Sequence, residues 1–287
     1  MRKEHQKTTA KKKPSARRKT PKRKTAKTPH HSGKGRGERS RLDWGRLWPL
    51  LLGAVIVGVT CWLLLRAILS SEVDTAPAPP PGYTVLGIDV SHHQGTIDWE
   101  LLRNQAVIDG QPLSFAFIKA TEGSDMVDSH FRRNIAAARQ YGIMCGAYHF
   151  FRASVSAKQQ AEHFIRNVQL SSGDLPPVLD VEVKPDDVSQ EDFRQGILEW
   201  LVRVEQHYGV KPILYTYHSF RQQYMNDSVF NIYPYWIAHY YVDTLRYRGE
   251  WAFWQHSDKG SLPGIKGAVD FDVFNGSYDE LSKMSVK

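Results

Sequence analysis

The sequence predicts an α/β fold: one barrel of eight strands, opened by five β-α units and closed by strands alone. Three observations predict it. Between Val85 and Tyr217, apolar runs of strand length alternate with helical apolar stripes, as a parallel sheet with crossover helices requires. The run Val178–Val183 is apolar apart from Asp180 and Glu182, the pattern of a strand covered on both faces. After Tyr217 the run–stripe alternation gives way to short strand-like runs with little room for helices between the last ones.

The barrel is expected to occupy residues 83–287, long enough for a single domain with a sizeable core. Its strand candidates are Val85–Val90, Ser114–Lys119, Met144–Phe151, Val178–Val183 and Ile213–Tyr217, then Tyr235–His239, Trp251–Gln255 and Ala268–Phe271. Helix candidates fall between the earlier ones. Ser129–Tyr141 sets Phe131, Ile135 and Ala138 on one stripe and stops at Gly142. Ser156–Val168 gathers Ala157, Ala161, Phe164, Ile165 and Val168. Ser189-Gln-Glu-Asp192 reads as a capping box for a helix carrying Phe193, Ile197, Trp200, Leu201 and Val204 and ending at Gly209.

Three segments precede the barrel. Residues 1–46 carry 18 Lys and Arg against 3 Asp and Glu, a formal +15 within a whole-chain charge of +8. With no apolar periodicity, this tail is expected to be disordered. The remainder is acidic and rich in aromatic residues, so no nucleic-acid partner is expected. Leu47–Leu65 is a 19-residue run without a charge, with Trp44, Trp48 and Trp62 near its ends. It is long enough to cross a bilayer, and a transmembrane signal anchor is expected over 47–69. A cleavable signal peptide is the competing reading. It would need an unusually long basic region, and no small-x-small cleavage site directly follows the apolar core. The Lys/Arg-rich flank keeps the N-terminus cytoplasmic, so the barrel is exported, periplasmic or extracellular. Residues 70–82 are a Pro-rich linker. Of the two cysteines, Cys61 lies in the expected span, leaving Cys145 alone in the exported part with no partner for an internal disulfide.

In a barrel of this kind the chemistry collects at the C-terminal ends of the strands. The polar residues there are Asp89, Lys119, Tyr148 and His149, Asp180 and Glu182, Tyr215 and Tyr217, Trp236 and Tyr240, then Trp254, Gln255 and Asp270. Side chains two apart on a strand share a face, so Asp180 and Glu182 project side by side. Paired carboxylates, one protonated and one ionised, are what glycosidic cleavage requires. Aromatic faces around them suit the apolar faces of pyranose rings. The bland alternative is one structural carboxylate beside a solvated one, among ordinary core aromatics. His92-His93 is discounted as a metal site, because adjacent strand residues face opposite ways and no further ligand set completes it.

The chain resembles the lysozymes of glycoside hydrolase family 25, the N,O-diacetylmuramidases. The motifs are Gly87-Ile-Asp-Val-Ser-His-His-Gln-Gly95, Phe117-Ile-Lys-Ala-Thr-Glu-Gly123, Gly146-Ala-Tyr-His-Phe150, Leu179-Asp-Val-Glu182, Pro212-Ile-Leu-Tyr-Thr216, Trp236-Ile-Ala-His-Tyr240, Trp254-Gln255 and Gly267-Ala-Val-Asp270, in family order. The resemblance covers about Tyr83 to Gly276 and leaves the tail, span and linker outside. It implies a flattened, TIM-like (β/α)5(β)3 barrel that hydrolyses the β-1,4 bond between N-acetylmuramic acid and N-acetylglucosamine in peptidoglycan, without a cofactor. It also implies that Glu182 is the general acid, with Asp180, Asp89 and Asp270 as the accompanying catalytic acids. Asp180 is then either nucleophile or the group orienting a substrate acetamide. Tyr148, Tyr215, Tyr217, Trp236, Tyr240, Trp254 and Gln255 are expected to bind the glycan. Two departures stand out: His256 where many relatives have Tyr, and Asp272 where many have Asn. The reading from another class is a non-catalytic peptidoglycan-binding module that keeps the cleft.

Overall fold

The computed structural model describes residues 44–69 and 77–287. The expected disordered tail over 1–46 therefore lies almost wholly outside the described residues, as does 70–76 of the linker. The chain divides into two units, split at Leu65 and Arg66. The helix Trp44–Leu69 (α1, 26 residues) forms the described part of the first unit and runs past the split, with Pro49 in its second turn. Its described apolar side chains, Val55, Ile56, Val57 and Leu63 among them, are exposed. Among the described residues no helix is long and apolar enough to cross a membrane, so the expected anchor rests on the sequence.

The second unit is the barrel. Its strands are β1 (Leu86–Val90), β2 (Phe115–Glu122), β3 (Met144–Phe150), β4 (Val178–Asp180), β5 (Ile213–Tyr217), β6 (Tyr235–Ala238), β7 (Phe253–Gly260) and β8 (Val269–Phe274). They pair in chain order and close on themselves through β1 and β2. Pairing is parallel from β1 to β7, while β8 is antiparallel to both of its neighbours, β7 and β1. Helices follow each of the first five strands: α2 (Trp99–Gln105), α3 (Phe131–Gln140), α4 (Ala157–Asn167), α5 (Gln190–Tyr208) and α6 (His218–Tyr224). The expected (β/α)5(β)3 architecture is what forms, with α7 (Tyr278–Met284) appended.

The expected capping box forms by half, the Asp192 carboxylate accepting from the Ser189 hydroxyl at 2.6 Å. Ser189 accepts from the Asp192 N–H to cap α5, and Gly209 ends that helix with φ +69°, a conformation that favours glycine. Two apolar layers result. Trp200, Phe164, Ile135 and Phe193 pack between the helices and the outer face of the strands. Inside, Phe115, Phe117, Phe253 and Trp236 fill the barrel, with Phe117 stacked on Trp236 at 4.6 Å between ring centres. The interior is close to full: a Cβ at Gly87 would come within 2.3 Å of the Phe115 ring. This aromatic plug gives the polar residues above it a rigid, water-poor floor.

Candidate active site

Alternation and register decide which side chains reach the barrel mouth. Asp89 on β1 faces Asp270 on antiparallel β8, so the start of β8 and the end of β1 meet at the same rim. Asp272 lies opposite Gly87, one layer deeper. Strand β4 stops at Asp180, and Glu182 follows two residues on, so both open into one cleft. The registers Asp180–Tyr215 and Tyr215–Trp236 bring the aromatic wall beside the acids. Tyr148 from β3, Tyr240 beyond β6 and Gln255 from β7 complete a cavity of about 240 Å³.

Gln255 is the junction of this site. Its Nε2 donates to Asp89 Oδ2 at 2.6 Å, while its Oε1 accepts from the Tyr215 hydroxyl at 2.7 Å and the Tyr240 hydroxyl at 2.6 Å. Those three bonds fix the amide's orientation and tie β1, β5, β7 and the loop after β6 into one rigid wall. Lys119 lines the cleft but pairs with Glu122, its Nζ donating at 2.7 Å. Arg152 donates to the other Glu122 oxygen, from Nε at 2.9 Å and from Nη2. Burial alone would raise Glu122, but the two cations bring it below its ordinary value.

The other acids shift the opposite way. Burial raises Glu182, with Tyr215 and Lys119 holding it back in part. Burial and then the Glu182 charge push Asp180 well above the usual carboxylate range. Burial, Asp258 and Glu182 push Asp270 up to about 6. Burial, Asp270 and Asp272 raise Asp89 well above the usual carboxylate range. Buried acids that share one cleft resist ionising together, so the cleft keeps its protons to higher pH than isolated carboxyls do. A proton-holding carboxyl beside an ionised one is the arrangement needed to protonate a leaving oxygen while stabilising positive charge.

Nine residues expected at the site line the cleft together: Asp89, Asp180, Glu182, Asp270, Tyr148, Tyr215, Trp236, Tyr240 and Gln255. Tyr217 sits at the rim, 39% exposed, its hydroxyl donating to the Glu182 carbonyl at 3.4 Å. Trp254 is a correction. It is fully buried outside the barrel interior, its Nε1 donating to the His239 carbonyl at 2.8 Å. Strand alternation that sends Gln255 inward sends Trp254 outward. His149 likewise turns away and stacks on Trp200 at 5.5 Å, and burial pushes its imidazole down to about 3. His92 and His93 do not face opposite ways as a strand would place them. They lie on a 3-10 turn with ring centres 4.1 Å apart, and His92 Nδ1 bonds Asp128 at 2.9 Å.

Sequence reasoning missed Ser91, His93, Gln94 and Phe150, which also line the cleft. The signal for two of them was present. Ser91 and Gln94 form a capping box whose three-residue spacing is legible in the chain.

Residues 88–265 match the model of glycosyl hydrolases family 25. The chain is 46% identical over 207 residues to YegX of Escherichia coli K12, a protein described as uncharacterized, covering 70% of this chain and 74% of that one. It is 35% identical over 224 residues to Lysozyme M1 of Streptomyces globisporus, covering 73% and 74%. A solved structure of a family 25 glycosyl hydrolase from Bacillus anthracis superposes with a TM-score of 0.66 at 33% identity, over 73% of this chain and 97% of that one. The chain belongs to glycosyl hydrolase family 25.

Proposed function

We propose that the barrel is a muramidase that cleaves the β-1,4 bond between N-acetylmuramic acid and N-acetylglucosamine in peptidoglycan. The observation that carries this reading is the pair formed by buried Asp180 and half-buried Glu182, which open into one cleft at the mouth of a barrel with aromatic walls. Glu182 is the less buried of the two and reaches the open side of the cleft, so it delivers the proton to the leaving oxygen. Asp180 then stabilises the developing positive charge at the anomeric carbon, either by bonding to it or by orienting the substrate's acetamide. Asp89 and Asp270 hold the opposite rim, Tyr148 and Tyr240 are the half-buried rings on which sugars stack, and buried Tyr215 and Trp236 support the acids from below. The relative Lysozyme M1 and the Bacillus anthracis hydrolase support the assignment by likeness.

The test is digestion of purified peptidoglycan by the full chain in detergent, with reducing ends counted and products weighed. A muramidase exposes new reducing ends on muramic acid. A pure binding module would sediment with the wall and release none, which would overturn the assignment.

The anchor belongs to this proposal. It rests on the sequence, where the 19-residue uncharged run Leu47–Leu65 has about the length that a bilayer core asks of a helix. Its uncharged run follows a strongly basic flank, which places the N-terminus in the cytoplasm and the barrel with its substrate on the exported side. Alkaline phosphatase fused at the C-terminus is expected to be active in cells, and the membrane-bound protein should keep its full mass. A soluble mature protein beginning near residue 72 would show that the segment is cleaved instead.

A further inference from the structure

Among the described residues that line the cleft, Lys119 is the only lysine or arginine. Its side chain is 11% exposed, and four carboxyls open into the same cavity: Asp89, Asp180, Glu182 and Asp270. It pairs with none of them. Its Nζ donates instead to Glu122 Oε2 at 2.7 Å, at the end of its own strand β2. Arg152 donates to the other Glu122 oxygen, so both oxygens of this carboxylate are held by cations. The Phe150 ring lies against the two cations, its centre 5.0 Å from Lys119 Nζ and 4.6 Å from the Arg152 guanidinium. Register sets Glu122 level with Phe150, and Phe150 level with Asp180. The two acids therefore stand in one row two strands apart, with about 10 Å between their Cα atoms. Asp180 meanwhile keeps a buried oxygen, Oδ1, without any donor. An open acceptor in the same cavity is where a freed ammonium would turn.

We propose that Glu122 is a positioning residue for the cleavage: backed by Arg152, it holds the Lys119 ammonium off Asp180 and Glu182, so that this pair keeps the proton it delivers. The consequence for cleavage rests on the muramidase reading, while the holding of Lys119 rests on the packing. A cation within about 4–6 Å of a carboxyl favours its ionised form. Bonded to Asp180 or Glu182, Lys119 would strip the pair of its proton and leave no acid for the departing oxygen. Bonded to Glu122, its charge is cancelled by an anion that takes no part in the transfer.

The surrounding charges agree. On the cleft side Lys119 faces Asp180 and Glu182 beyond Tyr148, with Asp89, Asp270 and His93 on the far rim. Away from the cleft stand Glu122 and Arg152, and His149 turns outward to Trp200. Against the burial that raises it, the Lys119 and Arg152 bonds bring Glu122 below its ordinary value. Burial and then the Glu182 charge raise Asp180, and Glu122 adds to them against the opposing pull of Lys119.

The experiment follows kcat/KM for peptidoglycan against pH in wild type, Glu122→Gln, Lys119→Met and the double variant, each as the full chain in detergent. The alkaline limb of that profile reports the acid of the free enzyme. In Glu122→Gln the ammonium is released, and the limb is expected about one pH unit or more below wild type, roughly a tenfold loss at any pH on the limb. Lys119→Met leaves the Glu122 charge less cancelled and moves the limb to higher pH than wild type. The double variant removes both charges and returns the limb toward wild type. Loss of mere fold support would lower activity at all pH values together, and a second substitution would deepen it. An unmoved limb in Glu122→Gln, or a double variant no better than Glu122→Gln, would therefore overturn the proposal. If Glu122→Gln does not fold, Lys119→Met decides alone, and a limb that stays in place or drops overturns it. Carboxyl-carbon NMR of isotope-labelled protein reads the same titrations without substrate, with signals assigned through Asp180→Asn and Glu182→Gln. A wild type that cleaves no peptidoglycan would sink the muramidase reading and leave that measurement standing: the Asp180 and Glu182 carboxyls should still ionise at lower pH in Glu122→Gln than in wild type.

Discussion

Glu182→Gln is expected to leave the barrel folded and to cut reducing-end release from peptidoglycan by about 10²–10⁴-fold, the usual cost of losing a positioned general acid. Gln keeps the volume and hydrogen-bonding shape but has no proton to give, so the leaving sugar departs as an alkoxide. Binding survives, because the contact surface is the whole aromatic cleft rather than one carboxyl. Two pH signatures accompany the loss. Wild-type activity falls as pH rises through the elevated value of Glu182, since the acid form is the competent one. A carboxyl raised on folding also gives stability that is present below its unfolded value and lost as pH climbs through the folded one. Glu182→Gln lacks that loss, so its melting temperature should gain on wild type toward neutral pH. A folded Glu182→Gln protein that digests peptidoglycan within a few-fold of wild type would remove Glu182 from the role of acid.

Much of this arrangement was legible in the chain because barrel strands announce themselves twice, by apolar runs and by the polar residues at their ends. Asp89 and Asp180 could be placed at one rim from strand order alone, whereas Asp270 reaches it from the start of β8, which runs antiparallel to its neighbours. Strand ends were harder. The expected runs Ser114–Lys119 and Trp251–Gln255 extend in the structure to Glu122 and Gly260, through polar residues whose strand state depends on ladder partners, not on composition. Helices α2 and α6 escaped notice because each has only seven residues, too short to display a period. Trp254 was misplaced because the sequence shows which residues alternate but not which phase faces inward. Gln255 beside it turned out to be the junction of the site, and only distances reveal that. The burial of Asp272 with an unmatched oxygen is likewise invisible to spacing, since the strand that covers it is the first of the barrel.

Asp180→Asn is the companion expectation, and it separates function from stability more sharply. Asp180 is almost fully buried at the end of β4, with Oδ1 lacking any hydrogen-bond donor, and Lys119 lowers its titration less than burial and Glu182 raise it. Such a carboxyl is held at a cost that the fold does not require, the usual trade between activity and stability. Asn is nearly isosteric and neutral, so Asp180→Asn should melt no lower than wild type near neutral pH. Its activity should nonetheless fall by at least about 10²-fold, because the developing positive charge loses the anion beside it whether Asp180 bonds the anomeric carbon or orients the acetamide. The double variant Asp180→Asn/Glu182→Gln adds a test of whether the two act as a unit. Groups serving one step are strongly non-additive, so the double variant should be about as impaired as the worse single one rather than their product. Reducing-end release across the four proteins, with thermal melting on each, reads both effects. Multiplied losses would mean that the two carboxyls serve separate steps, and an active Asp180→Asn protein would mean that the cleft works through a different pair of acids.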